Sequence, residues 1–321
     1  MRPRWLVTGA AGFIGSHVAE ALVARGDEVV GVDNFDPFYG RAIKEKNVAG
    51  LAGCPGFRLL ELDCASTELP FDGVAGVVHL AAKAGVRPSL DDPAAYVRAN
   101  VLATVRVLDG ARRAGIDRVV LASSSSVYGD ATPPPFVESA PAVTPVSPYA
   151  ATKRAGELMA ETFAHLYGTR IANLRYFTVY GPRQRPDLAI HKFTAAIGRG
   201  EAIRMFGDGS TERDYTYVSD VVAGTLAALD WTGRAPGGTV RAFNLGGGER
   251  VRLDRLIALI GAALQKEPRV ERASLQAGDV NLTAADLTRS GAELGYRPRV
   301  GIEEGIRQFV SWYEGTHGSK S

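Results

Sequence analysis

Eight residues near the start of the chain, Thr8-Gly9-Ala10-Ala11-Gly12-Phe13-Ile14-Gly15, restrict the fold more than any other segment. An apolar run, Trp5–Thr8, precedes them, and an amphipathic stretch, Gly12–Arg25, continues from them. The first reads as a buried strand and the second as a helix. The glycines recur at every third position, a spacing unlike G-x-G-x-x-G that serves the same physical ends. Gly9 permits a tight turn, Gly12 lets the backbone approach a pyrophosphate, and Gly15 lets the helix pack closely on the strand. The helix start at Phe13 and Ile14 adds free N–H groups and a positive dipole end, which suit phosphate. Glycines alone are also compatible with a loop that binds nothing. The strand before and the helix after favour a dinucleotide.

The rhythm continues through the first half. Strand-like runs fall at Glu28–Asp33, Phe57–Leu62, Val77–Leu80, Arg118–Ala122 and Arg170–Arg175, with helical stretches at Pro93–Ala114 and Pro148–Tyr167. Continuous apolar strands alternating with helices predict an α/β fold whose parallel sheet is covered on both faces. After about Phe177 the pattern changes to Gly/Pro/Arg-rich loops such as Gly181-Pro182-Arg183 and Gly207-Asp208-Gly209. Helical patterns then appear at Asp220–Leu229, Leu253–Leu264 and Ile302–Tyr313, with a frayed tail expected after Tyr313. A chain of 321 residues exceeds one compact core, so a second, smaller lobe is expected. Pro133-Pro134-Pro135 reads as a surface turn within one fold, not a linker.

A net charge of +2 without a long basic block argues against nucleic acid. The run after Arg4 is too short for a signal peptide or a membrane span. Two cysteines, Cys54 and Cys64, make no disulfide framework, which fits the cytoplasm. The five histidines show no metal-ligand spacing, and no metal is assigned.

Asp33 ends the second strand, eighteen positions after Gly15, where a carboxylate can accept from the adenosine ribose. It would repel a 2′-phosphate, which favours NAD over NADP. Asn34 beside it, Asp63 after the third strand, and the small residues of Leu80-Ala81-Ala82 complete the expected cofactor bed. Tyr149 and Lys153 stand four apart on one helix face. A free phenol titrates near ~10, so it needs a nearby ammonium to become a base at neutral pH. Tyr149 would then take a hydroxyl proton while hydride leaves the same carbon for NAD. Ser124 lies in the run Ser123-Ser124-Ser125-Ser126 at the end of the fifth strand, where open parallel sheets bind ligands, and it is the expected bridge to the substrate oxygen. A surface Tyr/Lys pair and a plain polar loop are the alternatives for each motif alone.

Taken together, Gly9, Gly12, Gly15, Ser124, Tyr149 and Lys153 resemble the extended short-chain dehydrogenase/reductase family, and within it the nucleotide-sugar epimerases and dehydratases. The resemblance covers nearly the whole chain and includes Asn100, Arg213-Asp214-Tyr215 with Val218 and Asp220, and Gly278-Asp279. It implies a Rossmann-type doubly wound sheet over 1–176 and 219–247, and a smaller nucleotide-sugar-binding lobe over 177–218 and 248–321. It also implies NAD contacts that include Asn100, Tyr149 and Lys153, a UDP-sugar substrate and a homodimer. The dehydratases of this family carry an Asp-Glu pair at Ser125 and Ser126, and the decarboxylases a Glu at Ser126. Neutral serines there leave oxidation, rotation and hydride return, which inverts C4.

Thr178, Arg185-Pro186-Asp187 and Gln276-Ala277-Gly278-Asp279 resemble the UDP-glucuronate 4-epimerase branch. On that resemblance Ser125, Ser126, Thr178 and Arg185 hold the carboxylate, Arg213 the diphosphate, Asp279 the nucleotide ribose, and Arg87 is a further substrate contact. Lys83 and Gln184 depart from the branch, which usually has Gln and Gly there. A UDP-glucose/UDP-galactose 4-epimerase is the alternative enzyme. A non-catalytic NAD-binding protein is the alternative class, which the retained Tyr149, Lys153 and Ser124 disfavour.

Overall fold

The computed structural model describes residues 2–273 and 282–317. Seven strands, β1 (Arg4–Thr8), β2 (Glu28–Asp33), β3 (Phe57–Glu61), β4 (Gly76–His79), β5 (Arg118–Ser124), β6 (Arg170–Tyr176) and β10 (Val240–Leu245), form one sheet. Its order is β10-β6-β5-β4-β1-β2-β3, and every pairing is parallel. The strands read as unbroken apolar runs because both faces are covered. In β1, Trp5 and Val7 enter one core with Leu22, Val78 and Phe243. Leu6, between them, enters the opposite core with Val77, Leu108 and Ile171.

Helices α1 (Phe13–Ala24), α2 (Arg41–Val48), α3 (Val86–Asp91), α4 (Pro93–Tyr96), α5 (Ala103–Arg113) and α6 (Pro148–Tyr167) belong to the first half. The chain order reverses between β1 and β4, and the crevice beyond their carboxyl ends is where such sheets take ligands.

Two small sheets follow, one of β7 (Thr178–Tyr180), β9 (Glu212–Tyr217) and β11 (Arg250–Arg252), the other of β8 (Ile203–Phe206) and β12 (Val270–Ala273). Helices α7 (Ala189–Arg199), α8 (Val218–Arg234), α9 (Leu253–Leu264), α10 (Thr288–Leu294) and α11 (Ile302–His317) complete the chain. Among the described residues no helix is long and apolar enough to cross a membrane.

Two sequence expectations need correction. The stretch Pro93–Ala114 is not one regular helix. A π-helical segment at Val97–Leu102 separates α4 from α5, and Asn100 lies within it. The last helix does not fray after Tyr313 but continues to His317, whose ring stacks on Tyr313 with centroids 4.5 Å apart. Pro133, Pro134 and Pro135 are exposed, as a surface turn requires.

Candidate active site

The glycine turn is held between the ends of β2 and β4. Gly9 has a φ of +71° and donates its N–H to Val32 O at 2.7 Å. A methyl group on Gly9 would stand 2.8 Å from Ala81 N, so the turn and the β4 end touch backbone to backbone. Helix α1 then begins at Phe13 with no capping side chain and no acidic residue in its first turn. Its first N–H groups therefore face a cavity of about 280 Å³. The cavity is lined by Gly9, Gly12, Phe13, Ile14, Gly15, Asp33, Asn34, Asp63, Leu80, Ala81 and Ala82, and at its other end by Tyr149 and Lys153.

Helix α6 starts where it does because Ser147 Oγ accepts the N–H of Ala150 at 3.1 Å and Pro148 occupies the first turn. Tyr149 is therefore fixed at the helix entrance, with Lys153 one turn on. Burial pushes the Tyr149 phenol above its ordinary value, while its hydrogen bond with Ser124 and the charge of Arg185 pull the other way. Lys153 donates to Ala122 O at 2.9 Å. Burial brings its ammonium down to about 8, against the opposing charge of Glu157. The sequence reading had Lys153 acidifying Tyr149. In the structure the phenol instead moves up, because desolvation outweighs its neighbours, and the cation that opposes the shift is Arg185.

The sequence profile of the NAD dependent epimerase/dehydratase family matches residues 5–246. The chain belongs to that family. It is 38% identical to the UDP-glucuronate 4-epimerase of Thermodesulfobacterium geofontis, over 96% of this chain and 95% of that protein. It is 41% identical to UDP-glucuronate 4-epimerase 5 of Arabidopsis thaliana, over 98% of this chain and 76% of that protein. The UDP-glucuronic acid 4-epimerase of Bacillus cereus, solved with UDP-glucuronic acid and NAD, superposes with a TM-score of 0.92 at 32% identity, covering 98% of this chain and 100% of that one.

The residues of this epimerase/dehydratase fit NAD. The uncapped α1 terminus supplies phosphate donors. A methyl on Gly12 would stand 3.0 Å from Gly9 O and 3.7 Å from the Tyr39 hydroxyl, so the turn has little room to spare. Asp33 lines the adenosine end, but not as an isolated charge. Its carboxylate accepts from Ala11 N at 3.1 Å, Phe35 N at 2.8 Å and Lys44 Nζ at 3.0 Å. Lys44 offsets its charge, so repulsion of a 2′-phosphate by Asp33 does not by itself set the preference for NAD. What Asp33 keeps is acceptor capacity. Asp63 accepts from Ala65 N and pairs with Arg98 at 2.8 Å. Burial works to raise its pKa, but these donors outweigh that and hold it low.

Asn100 is not part of the cavity wall. Its Oδ1 accepts from Lys83 N at 2.8 Å, and its Nδ2 donates to Lys83 O at 2.9 Å and Thr152 Oγ1 at 3.0 Å. It therefore ties the β4 loop to α6, and Thr152 continues the tie to Tyr149 O at 2.8 Å. A buried chain reaches the same point from the glycine turn. Thr104 Oγ1 donates to Asn100 O at 2.6 Å, so it can only accept from His79 Nε2 at 3.1 Å. His79 Nδ1 is then bare and accepts from the Thr8 hydroxyl at 2.7 Å, whose oxygen takes Ala81 N–H at 3.2 Å. The bonds fix both the tautomer and the neutrality of the ring.

Burial depresses His79 to about 3, with the Lys153 charge acting in the same direction. The unfolded state therefore binds the extra proton first. This stability is present above about 6.5 and is lost as pH falls toward 3. Acidification from pH 7 to 5 is expected to cost about 2 kcal/mol through this one ring. Urea midpoints at the two pH values check the loss, and a His79→Gln variant should show a flatter dependence.

A second cavity of about 430 Å³ holds Arg87 and Arg213 together with Lys192, Phe206 and Tyr215. Two of the three arginines expected at the substrate, Arg87 and Arg213, thus line one cavity. Arg185 faces the first cavity, beside Tyr149. Ser124 caps the short 3-10 turn Ser125–Tyr128, accepting from Ser126 N at 3.2 Å, and its hydroxyl reaches Ser126 Oγ at 3.1 Å. Ser125 and Ser126 lie half-buried in that turn and Thr178 opens β7, but none of the three is among the residues lining these two cavities. Asp279 lies outside the described residues. Sequence reasoning missed Lys44, Tyr39, Phe38 and Arg98, which line the first cavity, and noted Asp187, which lines the second, only as part of a motif. A helical pattern over Arg41–Val48 was the available signal for Lys44.

Proposed function

We propose that this chain is an NAD-dependent 4-epimerase that interconverts UDP-glucuronate and UDP-galacturonate. The observation that carries the reading is one cavity lined by the glycine turn, Tyr149 and the Arg185 guanidinium, with Ser124 hydrogen-bonded to Tyr149. The relatives named above, alike over almost the whole chain, support it. NAD, when bound, supplies a reversible hydride acceptor and a positive nicotinium charge that favours the phenolate.

The protein's own residues do the rest. Tyr149 Oη takes the proton from the C4 hydroxyl and returns it after the sugar has turned. Ser124 holds the phenol and the C4 oxygen in one hydrogen-bonded line. Lys153, anchored on Ala122 O, keeps a positive charge in the buried site. Ser125 and Ser126 offer neutral donors and no acid or base, so elimination has no agent. Oxidation at C4 of a uronate makes a β-keto acid, which loses CO₂ readily when the carboxylate stands perpendicular to the ketone. Ser125, Ser126, Thr178 and Arg185 hold it out of that alignment. Arg87 and Arg213 face the diphosphate, and Asp279 the nucleotide ribose.

Residues 1–176 and 219–247 carry the cofactor in this reading, and 177–218 with 248–321 carry the nucleotide sugar. It also assigns a cytoplasmic homodimer, whose mass light scattering measures.

Incubation of the purified protein with UDP-glucuronate tests the proposal. UDP-galacturonate should appear without pentose. Turnover of UDP-glucose with none of the uronate would overturn it. Thr178→Ala and Arg185→Ala should lower turnover of the uronate and release some pentose product. Clean product at the wild-type rate would remove both residues from the carboxylate site.

A further inference from the structure

Arg185 and Asp187 stand in the loop between β7 and α7, two residues apart with Pro186 fixing the backbone between them. Arg185 Nε donates to Asp187 Oδ1 and Nη2 to Oδ2, both at 2.8 Å. A guanidinium has two edges that can grip a carboxylate, Nε/Nη2 and Nη1/Nη2. Asp187 takes the first and leaves the second. The Phe38 ring lies against the guanidinium at 5.4 Å from its centroid and covers one face. Arg185 lines the cavity of Tyr149, whereas Asp187 lines the adjoining cavity of Arg87 and Arg213. The ion pair is thus the partition between the reacting end and the nucleotide end.

We propose that Asp187 is a positioning residue that turns Arg185 into an end-on carboxylate receptor, and that this pair sets the preference for a hexuronate over a neutral hexose. The inference rests on the epimerase reading above and deepens it. A lone arginine would sample many rotamers and would have to be ordered by each substrate that arrives. The two bonds to Asp187 and the Phe38 contact supply that order beforehand, and the second edge stays available to a second carboxylate. Asp187 also cancels the charge of Arg185 toward the nucleotide side. A diphosphate is then drawn to Arg87 and Arg213 rather than to the partition. The Arg185 charge that reaches Tyr149 depends on the same geometry, so the pair connects carboxylate recognition to the acidity of the phenol.

The test uses Asp187→Asn, which keeps shape and removes charge, with Asp187→Glu as the conservative variant. Steady-state kinetics with UDP-glucuronate are combined with the Kd for UDP, which carries no carboxylate. Asp187→Asn should raise KM for the uronate roughly tenfold. Its kcat should fall less, its Kd for UDP should stay within about twofold, and Asp187→Glu should recover part of the loss. Because Asp187 acts through Arg185, the Arg185→Ala/Asp187→Ala double variant should be no worse than Arg185→Ala alone. A wild-type KM in Asp187→Asn, equal losses for UDP and the uronate, or full additivity in the double variant would overturn the inference and leave the epimerase reading standing. A wild-type protein that does not turn over UDP-glucuronate would overturn both.

Discussion

Replacing Tyr149 with Phe is expected to cut kcat roughly 10²–10⁴-fold, with the content of bound NAD and the melting temperature close to wild type. The substitution removes one hydroxyl from a half-buried ring and leaves its packing intact. The edge contact with Tyr96, at 6.2 Å between centroids, is a ring contact that Phe reproduces. What disappears is the group proposed to move the C4 proton, together with its hydrogen bond to Ser124. Ser124 is left with Ser126 as a neighbour at 3.1 Å, so no buried hydroxyl is stranded. Because the loss lies in proton transfer and not in binding, KM for the nucleotide sugar should change little. Stopped assays of UDP-galacturonate formation, with NAD released by denaturation and quantified, check both halves. A variant that retains wild-type turnover would remove Tyr149 from the role of base.

The direction of the Tyr149 shift makes this result informative. Burial raises the phenol, so positive charge near it works in the direction that the role of base requires. Arg185 already contributes some. Lys153, itself lowered to about 8 by burial, retains its charge at neutral pH.

Much of this was legible in the sequence, and particular residues show why. The glycine turn was readable because it lies between a fully apolar strand and an amphipathic helix, and both periods are local properties. Tyr149 and Lys153 were readable because helical spacing alone puts them on one face. Asn100 shows what was not legible. Its position was noted, but its partners Lys83 and Thr152 lie 17 and 52 residues away, and no local pattern announces them. The π-helical segment escaped for the same reason, since its cause is a set of tertiary hydrogen bonds. Asp33 was found, while Lys44, which offsets its charge, was not. An ion pair between a strand end and a later helix depends on how the two pack. Likewise Asp187 was read as part of a loop motif, and only the geometry shows which edge of Arg185 it occupies.

Gly15→Ala is expected to abolish cofactor retention and lower the melting temperature by roughly 4–5 °C, the effect of about 3 kcal/mol in a chain of this size. The reason is steric and concerns backbone. A methyl on Gly15 would stand 2.0 Å from Gly9 O and 2.8 Å from Gly9 C, far inside any contact a real carbon makes. Neither atom belongs to a flexible side chain that can swing away. Gly9 itself is pinned by its hydrogen bond to Val32 O and by contact with the β4 end, so the turn cannot retreat without breaking both. Helix α1 must instead lift from β1, and the N–H groups that face phosphate move with it. Gly198→Ala is the control. It sits in α7 with nothing within 4 Å of the added methyl and an ordinary helical backbone, so it should stabilise by about 0.5–1 kcal/mol. Melting curves and the ratio of bound NAD to protein distinguish the two. A Gly15→Ala protein that retains NAD at full occupancy would show that the close approach of helix to turn is not what seats the cofactor.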